Sequence, residues 1–242
     1  MNKTEIDLYK DSIGKVQYIQ HVGSCKTIVN SARVSFGQDN DKGLTKRDEK
    51  LIRYLIKHKH VSTLEHNMLT VKVVVPMFVA RQHMRHRSWN FNEISRRYTD
   101  VNIQFYEPDK FRTQHESNRQ ASNAEELINP AVGTAHLDLA SYMKANGLVK
   151  RHHRHCLKLF TNLVEAGVCR EQARGVLPQN LYTEYYATCS LRSLLHFIEA
   201  RTHEGAQWEI TKVAEAMLEL AEDLWPEVIV AWKENKQNES KA

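Results

Sequence analysis

The apolar positions along this chain change period from one segment to the next. Residues 67–75, NMLTVKVVV, are β-branched and alternate, the pattern of a strand with one buried face. Leu191, Leu194, Leu195 and Ile198 recur at i, i+3, i+4 and i+7, which predicts an amphipathic helix. Ile210, Val213, Met217, Leu220 and Leu224 predict another, stopped by Pro226. Thr45 is a candidate N-cap for a helix with acids in its first turn, running to about His58. Pro76 stands where it would open the helix PMFVARQHMRHR. The run LYTEYYATCS, rich in aromatics and Thr, predicts a strand, preceded by a helical turn at 168–176 that ends before Leu177-Pro178.

Elsewhere the pattern is weaker. Residues 1–35 read as short strands and turns leading into a small alternating segment, and 37–43 and 99–121 as loops. Two long helices are expected at 122–145 and 149–167, separated by Asn146-Gly147. The residues after Trp232 are charged and read as a frayed tail, 233–242. No repeat or linker divides the chain. The expectation is one α+β domain over 1–232, helix-rich, with a modest, mainly antiparallel sheet.

Composition then narrows the function. A chain that is 41% hydrophobic and 26% charged suits a soluble globular domain. It has 9 glycines, none closer than six positions apart, so neither G-x-G-x-x-G nor a P-loop is present. No long apolar run, no leader-like N-terminus and no C-x-x-C among the 4 cysteines point to the cytoplasm and away from membranes. The net charge of +5 suits an anionic ligand without establishing nucleic-acid binding.

The densest unusual stretch is Arg81 to Arg97, RQHMRHRSWNFNEISRR. On a helix, Arg81 and Arg85 would lie one turn apart, as would Gln82 and His86. Arg85, His86 and Arg87 would fan apart, which suits a place where two ligands or two subunits meet. Trp89, Phe91 and Ile94, interleaved with polar residues, read as a packed polar loop. The alternative is a basic single-stranded nucleic-acid-binding module, with Trp89 and Phe91 as stacking platforms.

Other chemistry is thinner. Arg170, Glu171 and Arg174 share one helical turn, where Glu171 could pair with Arg174, a surface ion pair of little energetic weight unless it serves a ligand. His152 and Cys156 share a helix face, but two ligands are too few for zinc, so no metal site is expected. Cys25, Cys156, Cys169 and Cys189 lie outside the basic stretch and none is expected to be a nucleophile. Ser95 has no evident base and is assigned to binding.

Arg85-His86-Arg87, seven residues, Ser95 and then Arg97 resemble the signature of the flavin-dependent thymidylate synthases. Further blocks are similar and stand in the family's order: A-R-V-S-F at 32–36, H-x-x-x-x-E-H from His60 to His66, R-E-x-A-R at 170–174, L-P-x-N-L-Y-T at 177–183, L-R-S-L at 191–194 and A-Q-W-E-I at 206–210. The resemblance implies methylation of dUMP at C5, with 5,10-methylenetetrahydrofolate as carbon donor, FAD delivering the hydride and NADPH as reductant. It implies a dUMP site at Gln82, His83, Met84, Arg85, Glu93, Ile94, Ser95, Arg96, Arg97, Arg174 and Arg201. It implies FAD contacts from Ser62, Arg85, His86, Arg87, Glu93, Ser190, Leu191, Arg192 and His196, and a homotetramer with sites between subunits. Arg201 is implied as the catalytic residue, favouring ionisation at the uracil N3. Because arginine does not readily lose its proton, that role is electrostatic. From the residues alone, the favoured reading of Arg201 is a helix-terminal cation complementing the dipole. The chain departs from the usual family form at Thr63, Asn90, Ser190 and Gly205, and none of these departures removes an arginine.

Overall fold

The computed structural model describes residues 4–38, 43–133 and 142–239. Strands β1 (Glu5–Asp7) and β2 (Lys15–Val22) lead into helices α1 (Cys25–Arg33) and α2 (Lys46–Lys57). Strand β3 (Met68–Pro76), helix α3 (Met77–His83) and strand β4 (Trp89–Glu93) follow. Two small antiparallel pairs come next, β5 (Phe111–Gln114) with β6 (Ser122–Ile128) and β7 (Ala131–Gly133) with β8 (Tyr142–Lys144). The remainder is α4 (Ala145–Glu165), the short α5 (Arg170–Ala173), β9 (Tyr182–Ser190), α6 (Leu191–Arg201), α7 (Trp208–Leu224) and α8 (Pro226–Glu239).

The main sheet has five strands in the order β1-β2-β3-β9-β4, with antiparallel neighbours throughout. Strand β9 returns from far along the chain and inserts between β3 and β4. The alternation in β3 buries Leu69, Val71, Val73 and Val75 on one face, opposite Cys189, Ala187, Tyr185 and Thr183 of β9. Helices α6 and α7 cover that face with Leu191, Leu194, Leu195, Ile198, Ile210, Val213, Met217 and Leu220. Burying each such side chain is worth about 1.5–3 kcal/mol. The other face is polar: Thr70 and Thr188 share a hydroxyl hydrogen bond of 3.0 Å, and Lys72 pairs with Glu184 at 2.9 Å. One-sided burial is the usual state of an antiparallel sheet.

Local signals fix the helix entries. Thr45 caps α2 in a reciprocal pair with Asp48, whose carboxylate also holds Arg33 of α1. Ser190 caps α6 by accepting from the Ser193 N–H at 3.3 Å. Gly23 has φ +86, and a Cβ there would fall 2.1 Å from the Asn67 amide oxygen. That oxygen accepts from the buried Trp225 indole N–H at 3.2 Å, so glycine is required for the close approach.

Several segments differ from the sequence expectation. Cys25–Arg33, read as strands and turns, is helix α1, entered through a Ser24–Thr27 capping box. Pro76 ends β3 and stands as the N-cap residue of α3 instead of its first helical residue. Helix α3 stops at His83, which leaves Arg85, His86 and Arg87 in a turn and not on a helix. Trp89–Glu93 is a strand and not a loop, because it completes the sheet against β9. The helix expected at 122–145 is replaced by β6, β7 and β8, its residues 134–141 lying outside the described ones. Cross-strand bonds hold β6: Thr113 Oγ1 donates to Glu126 Oε2 at 2.7 Å, and Asn123 Nδ2 donates to Thr113 Oγ1 at 2.9 Å. Asn146-Gly147 sits in the first turn of α4 instead of ending a helix. Residues 233–239, expected to fray, continue α8, where Lys236 bonds Glu199 at 2.5 Å and Glu239 at 3.0 Å. Residues 240–242 lie outside the described ones.

Candidate active site

The β3–α3–β4 passage and the β9–α6 passage bring the two halves of the candidate site together. Arg201, half-buried at the last turn of α6, donates from Nε to His86 Nε2 at 3.0 Å and from Nη2 to the Gln82 carbonyl at 3.0 Å. His86 Nε2 must therefore carry no proton. Burial, then the Arg201 and His196 charges, lower the His86 pKa to about 4. His196, one turn beyond Arg192 on α6, places its ring centroid 6.0 Å from that of His86.

Gln82 is held from its other side. Its Nε2 donates to Gln207 Oε1 at 2.5 Å, and Gln207 Nε2 donates to Glu209 Oε2 at 2.9 Å. Gln207 and Glu209 escaped the sequence reading, although both lie in the A-Q-W-E-I block that was matched.

A cavity of about 730 Å³ opens beside the start of α6, with Leu64, Ser88, Arg192, Leu195, His196 and Trp232 in its walls. The volume is in the range of small-molecule sites. Arg192 pairs with Glu65, which follows the 3-10 turn at 61–64 that also carries the exposed Ser62. Glu65, Ser88 and Trp232 were not anticipated as lining residues, though Glu65 is the acid of the matched H-x-x-x-x-E-H block.

A second cluster lies at the far end of β4. Glu93 accepts from Thr183 Oγ1 at 2.5 Å, and the Ile94 N–H donates to the Glu184 carbonyl at 3.0 Å. Ser95 Oγ accepts from the Arg97 N–H at 3.3 Å. Arg97 then pairs with Glu171 of α5 at 3.6 Å, and Arg170 pairs with Asp100 at 3.1 Å. Glu171 thus docks the 93–97 segment onto α5, instead of pairing with Arg174 within its own turn. Arg174 is exposed immediately after α5.

Three expected site residues do not present side chains to an open site in this chain. His83 is fully buried, with its Nδ1 2.9 Å from the Tyr185 hydroxyl and its ring against Trp89, Phe91 and Phe197. Burial lowers its pKa to about 3, so it is a neutral core group. Arg96 is buried and donates to the Val101 carbonyl at 2.7 Å, pinning its own loop. Leu191 has its side chain in the core and gives its N–H to the Asn67 carbonyl at 2.8 Å. Arg85 and Arg87 are exposed in the turn, while Met84 and Ser190 are half-buried.

The two clusters are separated along the sheet. Trp89 pairs with Cys189 beside the cavity, whereas Glu93 pairs with Tyr185. The four residue steps from Trp89 to Glu93 span about 13 Å.

A one-sided antiparallel sheet with arginines near both ends of β4, and no glycine-rich loop in the sequence, defines an α+β protein whose cationic groups suit anionic ligands. The family model described as thymidylate synthase complementing protein matches residues 17–227. The flavin-dependent thymidylate synthase of Thermus thermophilus is 37% identical over 222 residues, 92% of this chain and 76% of the relative. That of Thermosipho melanesiensis is 38% identical over 203 residues, 83% of this chain and 82% of the relative. The crystal structure of the UMP/dUMP methylase PolB from Streptomyces cacaoi bound with 5-Br dUMP superposes with a TM-score of 0.76 at 33% identity, covering 94% of this chain and 97% of PolB. The chain belongs to the flavin-dependent thymidylate synthase family and is a methyltransferase enzyme. Among the described residues no helix is long and apolar enough to cross a membrane.

Proposed function

We propose that this enzyme methylates dUMP at C5 to give dTMP, taking the carbon from 5,10-methylenetetrahydrofolate with NADPH as reductant, and that it works in the cytoplasm as a homotetramer. The observation that carries the reading is Arg201, fixed at 3.0 Å from both His86 and the Gln82 backbone carbonyl, with Nη1 left without a hydrogen bond among the described residues.

The donor set beside the cavity suits FAD: Arg192 and His196 offer N–H groups, Ser62 and Ser88 hydroxyls, and Leu64, Leu195 and Trp232 apolar surface for a flat ring. His86 reaches the same region from the turn after α3, its ring centroid 6.0 Å from that of His196, and the exposed Arg85 and Arg87 beside it are assigned to FAD as well. When bound, the flavin supplies hydride chemistry that no side chain here can perform.

On the dUMP side, Arg97, Arg174 and Arg85 are assigned to the phosphate, because guanidinium groups are permanently charged and bind it in two-point fashion. Ser95, Glu93 and Ile94 shape the ribose side, and Gln82 and Arg201 face the base. Arg201 stabilises negative charge as it develops on the uracil ring. It does not act as a base. The buried thiols of Cys189 and Cys25 are equally unsuited to attack: burial raises Cys189, and burial with the nearby Glu227 pushes Cys25 up to about 12.

The separation of the Arg192 and Arg97 clusters supports assembly, since a neighbouring subunit can bring one cluster to the other. Purified protein should be yellow, and its visible absorbance should bleach with NADPH. Colourless protein that takes up no FAD but binds oligonucleotides with a steep salt dependence would contradict the reading.

A further inference from the structure

Glu209 is buried, and its Oε1 receives the Tyr106 hydroxyl at 3.2 Å and Arg112 Nη2 at 2.6 Å. Its Oε2 receives Gln207 Nε2 at 2.9 Å. A carboxylate paired with arginine only accepts, so Gln207 must turn its NH2 toward Glu209 and its oxygen away. That oxygen lies 2.5 Å from Gln82 Nε2. An amide oxygen also only accepts, so Gln82 must give its NH2 to Gln207. Reversing either amide would set oxygen against oxygen, at the cost of an unmade hydrogen bond. The Gln82 NH2 is drawn the same way by the Phe78 carbonyl at 3.5 Å. What remains of the Gln82 side chain is Oε1, an obligate acceptor, on the residue whose backbone carbonyl receives Arg201 Nη2 at 3.0 Å.

We infer that Glu209 and Gln207 are positioning residues for base specificity, holding Gln82 as an acceptor next to the donor Arg201. This edge matches the N3–H and an adjacent carbonyl oxygen of uracil. Cytosine presents a lone pair at N3, which the Gln82 oxygen opposes. Sites built from fixed polar groups discriminate strongly, because the wrong ligand leaves those groups unpaired. The lock acts when the neutral base binds, and Arg201 acts on the charge that follows. The inference rests on the proposal that a pyrimidine nucleotide occupies this site.

The test is calorimetric titration of the flavin-loaded enzyme with dUMP and with dCMP, for the wild type, Glu209→Gln and Gln207→Leu. Glu209→Gln replaces an acceptor-only group with an amide that can face either way. Gln207→Leu keeps the Glu209–Arg112 pair and removes only the relay, so it carries the test if Glu209→Gln fails to fold. The wild type should prefer dUMP, and in both variants that preference should fall by about tenfold or more. Flavin content and thermal midpoint should stay close to wild type in Gln207→Leu, which separates lost orientation from lost structure. Folded variants that keep the full preference for dUMP would overturn the inference alone. A wild type that binds neither nucleotide would overturn the proposed function, and this inference with it.

Discussion

Arg201 Nε donates to His86 Nε2 at 3.0 Å, and burial, then the Arg201 charge, keep the imidazole neutral. The arginine stays protonated and the imidazole stays neutral, its pKa lowered from 6.5 to about 4. In the unfolded chain His86 takes up a proton near 6.5, whereas the folded protein resists it until about 4. The unfolded state therefore binds more protons in that window, and stability falls as pH falls through it. His83, lowered to about 3 by burial, adds to the same slope. Thermal midpoints measured from pH 7 to 4 should drop less steeply in His86→Gln than in the wild type; equal slopes would contradict the coupling.

Arg201→Lys keeps a charge but offers one nitrogen where two are used. The expected outcome is a kcat lowered by about 10²-fold or more with the thermal midpoint little changed. Steady-state kinetics with a melting control read this directly.

Arg174→Ala should weaken dUMP binding by about tenfold, because the exposed guanidinium proposed to hold the phosphate is lost while no packed group is disturbed. Titration with dUMP checks it, and unchanged affinity would remove Arg174 from the site. Arg192→Ala should instead lower the flavin-to-protein ratio of the purified enzyme, since Arg192 lines the cavity beside His196.

Gly23→Ala should destabilise the fold by about 1–3 kcal/mol through backbone strain at its positive φ, with a further cost from the clash with Asn67. Urea unfolding measures this. A cost near zero would mean that Asn67 and Trp225 move aside freely.

Much of the core was legible from single segments. The alternation in 67–75 and the spacing of Leu191, Leu194, Leu195 and Ile198 settle both the element and its buried face, because those elements bury one regular stripe. The region after Gln120 misled for the opposite reason. Ser122–Ile128 contains Ala, two Glu and Leu, all helix-compatible, yet its pairing with β5 overrides that propensity. Helix α1 was obscured by β-branched and short polar residues, and its capping box closes with Thr27 instead of an acid. The site divides in a similar way. Arg192 and Arg201 lie at the two ends of α6, a placement its apolar spacing already implied. The burial of His83 depends on Trp89, Phe91, Tyr185 and Phe197 closing around it from three elements, which no local pattern records. The Gln82–Gln207–Glu209 relay spans 125 residues between its first two members, so only folding reveals it.

The most direct test of the central claim is tritium release from C5-labelled dUMP, with FAD, NADPH and 5,10-methylenetetrahydrofolate omitted in turn. The complete mixture should release tritium and form dTMP, with dTMP formation lost when any one of the three is left out. Sustained dTMP formation by flavin-free protein without NADPH, or no turnover in the complete mixture by folded, flavin-loaded enzyme, would contradict the account.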